Sequence, residues 1–457
     1  MAERVFTMDK ALQKLLAEKK LNSVRDVLVT MNPADVAWVL DKSDPEQTPL
    51  LFRLLPKDLA AASFAEMETE RRETLIRSFS DTELRGVVNE MFADDAADLV
   101  DEMPAAVVQR ILKNADPDMR REINELLRYP EQTAGAMMTT EYVDLRPDMT
   151  VNEAFARIRS SAVDKETIYT CYVTRDDVLL GIVSVKDLLL AKGEATTVES
   201  LMETHVITVD TRTDQEEVAR MLSRYNFLAL PVVDRDGRMV GIVTFDDAMD
   251  VMVEETTEDM EKMAGVTPME KTYSRSDPWD LFKHRIPWLL LLMVSATFTG
   301  MIITGFESAL AAQVALTAFI PMLMDTGGNS GSQASVSIIR AISLGELEFR
   351  DITGVMWKEI RTAAMCGLTL SAACFVKIML VDRLLLGNSD VTVLVALVVC
   401  LTLVLTVVVA KTVGCTLPML AKKAGFDPAV MASPPITTIV DALSLLIYFS
   451  IASSLLF

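Results

Sequence analysis

The sequence predicts a multidomain membrane protein with an all-α superhelical N-terminal domain, an α+β tandem repeat, a long connecting helix and a five-helix transmembrane domain. Charge is divided unevenly, because the first 280 residues hold 55 acidic and 33 basic side chains whereas the last 177 hold 10 and 11. Long apolar runs begin only at residue 286, and a repeat offset by 60 residues precedes them. We therefore predict domains at 1–132, 133–253 (copies 133–195 and 196–253) and 277–457, with a connecting helix at 246–276.

The N-terminal 132 residues predict a stack of short helices. Segments such as MNPADVAWVL, LLPKDLAAASF and MFADDAADLVDEMP each begin with Pro or Asp and continue with an apolar stripe, which is typical of capped amphipathic helices. Asp94, Asp95 and Asp98 gather at one such start. They are either a helix cap with a solvated face or part of a cation site.

Residues 134 to 253 contain an internal repeat. Gly181-Ile182-Val183 and Gly241-Ile242-Val243 are parallel, and each copy predicts the order strand, helix, two strands, helix. The endings with Ser184/Asp187 and Thr244/Asp247 resemble a CBS-domain pair. That resemblance implies a regulatory module that often binds adenine nucleotides between its copies, although a nucleotide-free dimerisation module is an equal alternative. Candidate nucleotide-binding residues are Tyr169, Asp187, Phe227, Thr244 and Asp247.

The connecting helix is unusually acidic, with eight acids in the sixteen positions 246–261. Like charges one turn apart each cost a few tenths of a kcal/mol, so this face opposes close packing until cations bridge it. The segment is either a solvated linker or a cation sensor. Its acids are Asp246, Asp247, Asp250, Glu254, Glu255, Glu258, Asp259 and Glu261.

Five apolar runs predict membrane spans, since about 20 residues are needed to cross the hydrocarbon region. The basic residues fall in alternate connecting segments, which places the N-terminal half in the cytosol and the C-terminus outside the plasma membrane. The N-terminal residues have no apolar core and do not predict a signal peptide. The runs are 286–306, 308–339, 362–376, 391–410 and 429–457.

Asp325 and Asp441 lie inside predicted spans, where a carboxylate costs at least ~2.5–3.5 kcal/mol unless it meets water, an ion or a partner. Glycine or proline interrupts both stretches, PMLMDTGGNSGSQAS and DPAVMASPPITTIVD, and frees carbonyls that must line a cavity. Such oxygens suit Mg²⁺ or Ca²⁺. A protonated or helix-paired carboxyl is the alternative. Candidate pore ligands are Asp441, Thr437, Ser433, Asn329, Gly328 and Asp325.

Other functions receive little support from the sequence. An acidic front half disfavours nucleic acid as a partner, because phosphate binding depends on clustered basic residues. The five cysteines are scattered without CxxC spacing and indicate no zinc or redox site. An enzyme has no nucleophile and base pair to depend on. His205 and His284 lie outside the predicted spans, which disfavours soft or borderline ions.

Three spaced motifs occur in a fixed order: P-x5-GGN-x-G-x-Q from Pro321 to Gln333, DPA at 427–429, and P-x-x-TT-x-x-D from Pro434 to Asp441. With the domain order, they resemble the MgtE family of magnesium channels. The resemblance implies a homodimer in the lipid bilayer with its pore between protomers, passing hydrated Mg²⁺ held by Asp441. It also implies cytosolic acids that bind Mg²⁺ to close the channel: Asp94, Asp95, Asp98, Asp246, Asp247, Asp250, Glu254, Glu255, Glu258 and Asp259.

Two residues depart from the expected pattern: Pro435, where an apolar residue is expected, and Ser444, where glycine is expected. Both lie near the predicted ion site and leave ion selectivity open. Two other functions stay as alternatives. One is a transporter of another divalent ion such as Co²⁺ or Mn²⁺, and the other is a membrane-anchored CBS sensor of a nucleotide such as ATP.

Overall fold

The computed structural model describes residues 12, 15–16, 18, 20–162, 165–193, 196–269, 273 and 276–456. Within it the chain forms two compact units, with the boundary between Met252 and Val253. The predicted connecting helix extended to residue 276, and part of that prediction, at 270–272 and 274–275, lies outside the described residues.

The first unit opens with short helices. Each is two to three turns long and buries one apolar face in a common core that includes Leu40, Phe64 and Leu84. The helices are α1 Leu21–Leu28, α2 Pro33–Lys42, α3 Thr48–Phe52, α4 Lys57–Ala65, α5 Thr69–Ser78, α6 Asp81–Val88, α7 Ala93–Glu102, α8 Ala105–Asn114 and α9 Pro117–Leu126.

These helices stack with a regular stagger. Helix α2 packs on α4, α4 on α6, α6 on α8 and α7 on α9, so each helix contacts the one two places further along, as in a solenoid. Ion pairs repeat the stagger, because Arg53–Glu83 and Arg72–Glu102 each join residues 30 positions apart. The predicted all-α superhelical domain is confirmed.

Two similar α+β copies follow. In the first, β1 (Asp144–Leu145) runs parallel to β2 (Thr170–Arg175), which is antiparallel to β3 (Val178–Ser184). In the second, β4 (Val209–Asp210), β5 (Ala229–Val233) and β6 (Met239–Thr244) repeat that order. The predicted strand, helix, strand, strand, helix pattern is confirmed. The helices are α10 Val151–Ser161, α11 Val185–Leu190, α12 Val198–Leu201, α13 Gln215–Tyr225 and α14 Phe245–Met263.

Gly181 and Gly241 occupy equivalent crossings in the two copies. A Cβ on Gly181 would lie 2.7 Å from the carbonyl oxygen of Glu203, and one on Gly241 would lie 2.7 Å from that of Thr139. Each carbonyl belongs to the segment that leads into the other copy, and both segments bridge to the strand that they cross. The glycines are therefore needed for the reciprocal exchange that joins the copies.

The second unit consists mainly of long helices. Helix α17 packs on α19 and α20, α18 packs on α19, and α15 packs on α20. The helices are α15 Pro278–Gly305, α16 Glu307–Ala312, α17 Ile320–Ser343, α18 Ile352–Lys377 with a π-helical extension Ile378–Leu385, α19 Val393–Lys423 and α20 Ser433–Leu456. Short 3₁₀ turns at Val314–Phe319, Phe349–Asp351 and Pro428–Met431 connect them.

In the described part of the chain, four helical segments are long and apolar enough to cross a membrane: Pro278–Gly305, Phe349–Leu385, Val393–Lys423 and Pro428–Leu456. Helix α17 has 24 residues, which is about 36 Å at 1.5 Å per residue, but it is too polar to be among them. The predicted span 308–339 therefore corresponds to a helix that begins later, at Ile320.

Two further boundaries differ from the prediction. The charge-free runs 362–376 and 391–410 are only parts of longer helices, so Glu359 and Lys411 lie inside α18 and α19 rather than in loops. The connecting helix α14 ends at Met263, short of the predicted 276, because Gly265 adopts a left-handed backbone (φ 70°) just beyond it.

Candidate cation sites

An acidic cluster lies in the first unit, where α7 approaches the start of α14. Asp94, Asp95 and Asp98 project from α7, and Asp247 of α14 repels all three. The Oδ1 atom of Asp94 is buried without a hydrogen-bond partner. The structure therefore brings together four of the predicted gate acids that are separated by about 150 residues in sequence.

Burial, followed by mutual repulsion, controls the protonation of this cluster. Burial and the neighbouring Asp247 raise the pKa of Asp95 to about 6, and burial with Asp95 raises that of Asp98 to about 7. The pKa of Asp94 lies well above its ordinary value for the same reasons. Burial also raises the pKa of Asp247, although the hydroxyl hydrogen bond from Thr244 partly opposes the shift. A cation would relieve each of these costs.

Two further acids belong to this cluster and were missed in the sequence. Glu141 accepts hydrogen bonds from the backbone N–H of Ala93 at 3.1 Å and the hydroxyl of Thr139 at 2.6 Å. Burial and the nearby Asp246 raise the pKa of Glu166 to about 7. Neither glutamate lies in an acidic run, so only the fold could reveal them.

The cluster is not a preassembled chelate. Among the described residues, no three His, Cys, Asp or Glu side chains converge closely enough to hold a metal ion. The acids repel one another without sharing a coordination point. This arrangement suits an ion that keeps much of its water, as Mg²⁺ does.

A second set of predicted gate acids lies at the end of α14, in the second unit. Asp259 accepts a hydrogen bond from the hydroxyl of Ser343 at 3.1 Å. Lys262 pairs with Glu258 and with Asp427 of the DPA motif. Burial lowers the pKa of Lys262, but these two hydrogen bonds outweigh it and leave the pKa raised. Of the remaining predicted acids, Asp246, Asp250 and Glu254 are exposed and Glu255 is half-buried.

The nucleotide candidates lie at equivalent places in the two CBS copies. Ser184 donates a hydrogen bond to Asp187 at 2.5 Å, and Thr244 donates one to Asp247. The ring of Tyr169 is exposed, and Phe227 stacks on Tyr225 with ring centroids 5.5 Å apart. Because Asp247 also belongs to the acidic cluster, a nucleotide and a cation would meet at that residue.

The glycine-rich segment of α17 packs closely against two neighbouring helices. A Cβ on Gly327 would lie 2.7 Å from Thr406 Cγ2 and 2.8 Å from Ser444 Oγ, and one on Gly328 would lie 3.0 Å from Thr437 Cγ2. Small residues permit such close contacts between membrane helices. Pore candidates Gly328 and Thr437 therefore touch across the α17–α20 interface.

The opposite face of α17 is polar and exposed in the single chain. Asp325, Asn329, Gln333 and Ser337 follow one another every fourth residue, so they form one stripe along about 18 Å of helix. We call these four residues the polar stripe. The side-chain amide of Asn329 donates a hydrogen bond to Asp325 at 3.0 Å. The sequence analysis identified the first two of these residues but missed that the stripe continues.

Helix α20 supplies the remaining pore candidates. Ser433 begins it, and the hydroxyls of Thr437 and Thr438 both donate to the carbonyl of Pro434, at 2.9 and 3.1 Å. Asp441 lies half-buried about two turns beyond the prolines and close enough to Asp325 for electrostatic repulsion. Two carboxylates from two helices thus face a common region.

Acidic clusters on a CBS-containing unit, together with carboxylates on packed membrane-length helices, define a membrane transport protein for cations. Its C-terminal part matches a family described as "MgtE: Divalent cation transporter" over residues 320–451. The MgtE intracellular N domain matches residues 31–132, and CBS domains match 134–194 and 198–254. The chain belongs to the MgtE family, as the spaced motifs predicted.

Two curated relatives align along almost the whole chain. The magnesium transporter MgtE of Thermus thermophilus is 38% identical over 450 residues, covering 98% of each chain. The magnesium transporter MgtE of Bacillus subtilis is 34% identical over 445 residues, covering 96% of this chain and 95% of the relative.

Two solved structures resemble the front part of the chain. The cytosolic domain of the Mg²⁺ channel MgtE in complex with ATP has 39% identity and a TM-score of 0.51, covering 53% of this chain and 99% of the other. The soluble part of a magnesium transporter has 29% identity and a TM-score of 0.52, covering 55% and 99%.

Proposed function

We propose that the protein carries Mg²⁺ across the plasma membrane into the cytosol and that cytosolic Mg²⁺ closes it. The polar stripe on α17 is the observation that carries this proposal. A membrane helix cannot present carboxylate, amide and hydroxyl groups to lipid without a large cost. The stripe must therefore face water, an ion or another protein surface.

A second copy of the chain is the partner that fits the stripe. In a homodimer, two stripes and two Asp441 carboxylates would line one pathway between the protomers. Two carboxylates supply a charge that matches one divalent ion. Mg²⁺ keeps several of its waters, so a wide pathway with few direct oxygen ligands suits it. Asp325, Gly328, Asn329, Ser433 and Thr437 would surround Asp441 in that pathway.

Inward movement needs no hydrolysed nucleotide. Moving two charges through 100 mV is worth about twice 2.3 kcal/mol, and an enzymatic step has no role in this proposal. The direction depends on the acidic first unit lying in the cytosol and the C-terminus outside, as the alternation of basic residues favours.

The gate would act through electrostatic repulsion. At low Mg²⁺ the cluster around Asp95 and Asp247 repels itself, which favours a loosened first unit and an open pathway. At high Mg²⁺ the ions compensate the carboxylates and favour the compact state. The ion must bind the closed state more tightly, since equal binding shifts no equilibrium. The acids of α14 from Asp246 to Asp259 would extend this response to the second unit.

A nucleotide is a second regulatory ligand in this proposal. The solved MgtE cytosolic domain was crystallised with ATP, and the corresponding part of this chain carries Tyr169, Asp187, Phe227, Thr244 and Asp247. Because Asp247 would contribute to both ligands, nucleotide binding and Mg²⁺ binding should influence each other.

Uptake into proteoliposomes tests substrate and gate together. Mg²⁺ uptake should follow an inside-negative potential and should fall when Mg²⁺ is added on the side of the first unit. Co²⁺ or Mn²⁺ uptake at equal concentration without Mg²⁺ uptake would instead favour the other divalent transporter. A protein that binds nucleotide but moves no ion would favour the membrane-anchored sensor.

A combined variant tests the gate separately. Neutralising Asp247, Glu255, Glu258 and Asp259 together should leave conduction intact and abolish closure by millimolar Mg²⁺. The matched control neutralises Asp35, Asp58, Asp118 and Glu153, which lie elsewhere in the first unit. Patch currents that still close normally in the first variant would contradict the gate.

A further inference from the structure

A buried ion pair lies inside the membrane unit, away from the polar stripe. Lys411 Nζ of α19 is 3.7 Å from Glu359 Oε2 of α18, and their side chains are only 7% and 15% exposed. Glu359 Oε2 accepts no hydrogen bond within the described residues. Lys411 lies twelve residues before the end of α19, so it sits about 18 Å from that end.

The pair belongs to a regular seam between the two helices. The thiol of Cys400 donates to the carbonyl of Ser371 at 3.3 Å. A Cβ on Gly367 would lie 3.2 Å from Val404 Cα. Moving along α18 from Ser371 through Gly367 to Glu359 means moving the other way along α19, so the helices are antiparallel and the ion pair closes the same seam.

The next face of α19 supports the glycine-rich segment of α17. A Cβ on Gly414 would lie 2.3 Å from the carbonyl oxygen of Gly331, and one on Gly331 would lie 3.1 Å from the carbonyl oxygen of Ala410. At about 100° per residue, the face with Ala410 and Gly414 is roughly 100° from the face with Lys411. Any rotation of α19 about its axis therefore moves both contacts together.

We propose that Lys411 and Glu359 are positioning residues for the ion pathway: their charge pair fixes the rotation of α19, so that Gly414 stays seated on Gly331 and holds the polar stripe in place. The proposal rests on the proposed function for its transport readout, but the helix alignment itself does not. An ammonium and a carboxylate at this depth each need the other, because either one alone would be an uncompensated buried charge.

Four variants of the full-length protein test the pair. They are Glu359→Gln, Lys411→Met, the charge swap Glu359→Lys with Lys411→Glu, and the control Lys377→Met. Lys377 also lies in α18 and pairs with Asp382, but its side chain is 50% exposed, so its loss should matter little. Mg²⁺ uptake is measured per amount of monodisperse protein, over a range of Mg²⁺ concentrations.

Each single neutralisation should lower maximal uptake by about tenfold or more with little change in the half-saturating concentration, and the swap should restore much of it. Single variants that transport normally per folded protein would overturn the proposal, even if their yield falls. A swap as inactive as the single variants would also overturn it, since packing rather than charge would then decide the effect.

Hydrogen exchange gives a readout that does not depend on the transported ion. Amides of α17 around Gly331 should exchange faster in Glu359→Gln than in the wild type and should regain protection in the swap. Unchanged exchange would overturn the positioning role. If the wild type moved no Mg²⁺ while the exchange pattern appeared as expected, the proposed function would fail and the helix alignment would stand.

Discussion

Lys262 Nζ lies 2.6 Å from Asp427 Oδ2 and 2.5 Å from Glu258 Oε1, so one ammonium joins carboxylates 165 residues apart. With Asp259 nearby, the end of α14 carries more negative than positive charge. Lys262 is 22% exposed, and it occupies the carboxylates that an added cation would also seek. The ion pair therefore stabilises this arrangement without Mg²⁺.

Lys262→Met should raise uptake at low cytosolic Mg²⁺ and make the Mg²⁺ dependence of closure steeper. A partly exposed pair is worth about 1 kcal/mol, which corresponds to about a fivefold change in the ratio of open to closed protein. The freed carboxylates could then bind the ion instead. Lys262→Arg should behave as wild type, and a Lys262→Met protein with an unchanged Mg²⁺ titration would contradict the competition.

Binding of Mg²⁺ to the first unit should release protons near pH 6.5 but not at pH 8.5. The pKa values of about 6 for Asp95 and about 7 for Asp98 and Glu166 leave roughly one to two protons on these carboxyls at pH 6.5. The compact state without metal is thus favoured in acid and loses that advantage as pH rises through 7, whereas Mg²⁺ affinity rises over the same range.

Calorimetry in two buffers with different ionisation enthalpies counts these protons. Asp98→Asn should reduce the release at pH 6.5, whereas Asp118→Asn, an exposed acid on α9, should not change it. Equal heats in both buffers at pH 6.5 would show that the cluster is already fully ionised before the ion binds.

The sequence predicted those features that recur or that interrupt a helix. The 60-residue offset between Gly181 and Gly241 identified the tandem copies, because both glycines answer the same backbone crossing. The proline and glycine interruptions identified the segments around Asp325 and Asp441. Both kinds of signal are local, so they are visible without knowing which helices meet.

Tertiary neighbours could not be predicted in this way. Glu141 joins the acidic cluster only because its segment passes α7 on the way to the other CBS copy. Glu359 and Lys411 looked like loop charges, since a charge-free window ends at each of them, whereas the helices continue and let the charges pair. Counting uncharged runs underestimates membrane helices whose buried charges compensate each other.

Asp441→Ala and Asp441→Asn should each reduce Mg²⁺ uptake by about tenfold or more, because the pathway would lose the carboxylates that compensate a divalent ion. Size-exclusion profiles should stay those of the wild type. Asp390→Asn, an exposed acid between α18 and α19, is the control and should transport normally. Full uptake by Asp441→Ala would remove this residue from the pathway.

Gly414→Ala should destabilise the membrane unit, because its Cβ would lie 2.3 Å from the carbonyl oxygen of Gly331 and a backbone atom cannot turn aside. Overpacking of this kind costs roughly 1–3 kcal/mol, so the melting temperature in detergent should fall and uptake should fall with it. Gly354→Ala in α18 is the matched control, since nothing lies within 4 Å of its Cβ and alanine favours the helix. Equal melting temperatures for the two variants would mean that α17 and α19 do not approach each other at Gly331 and Gly414 in the folded protein.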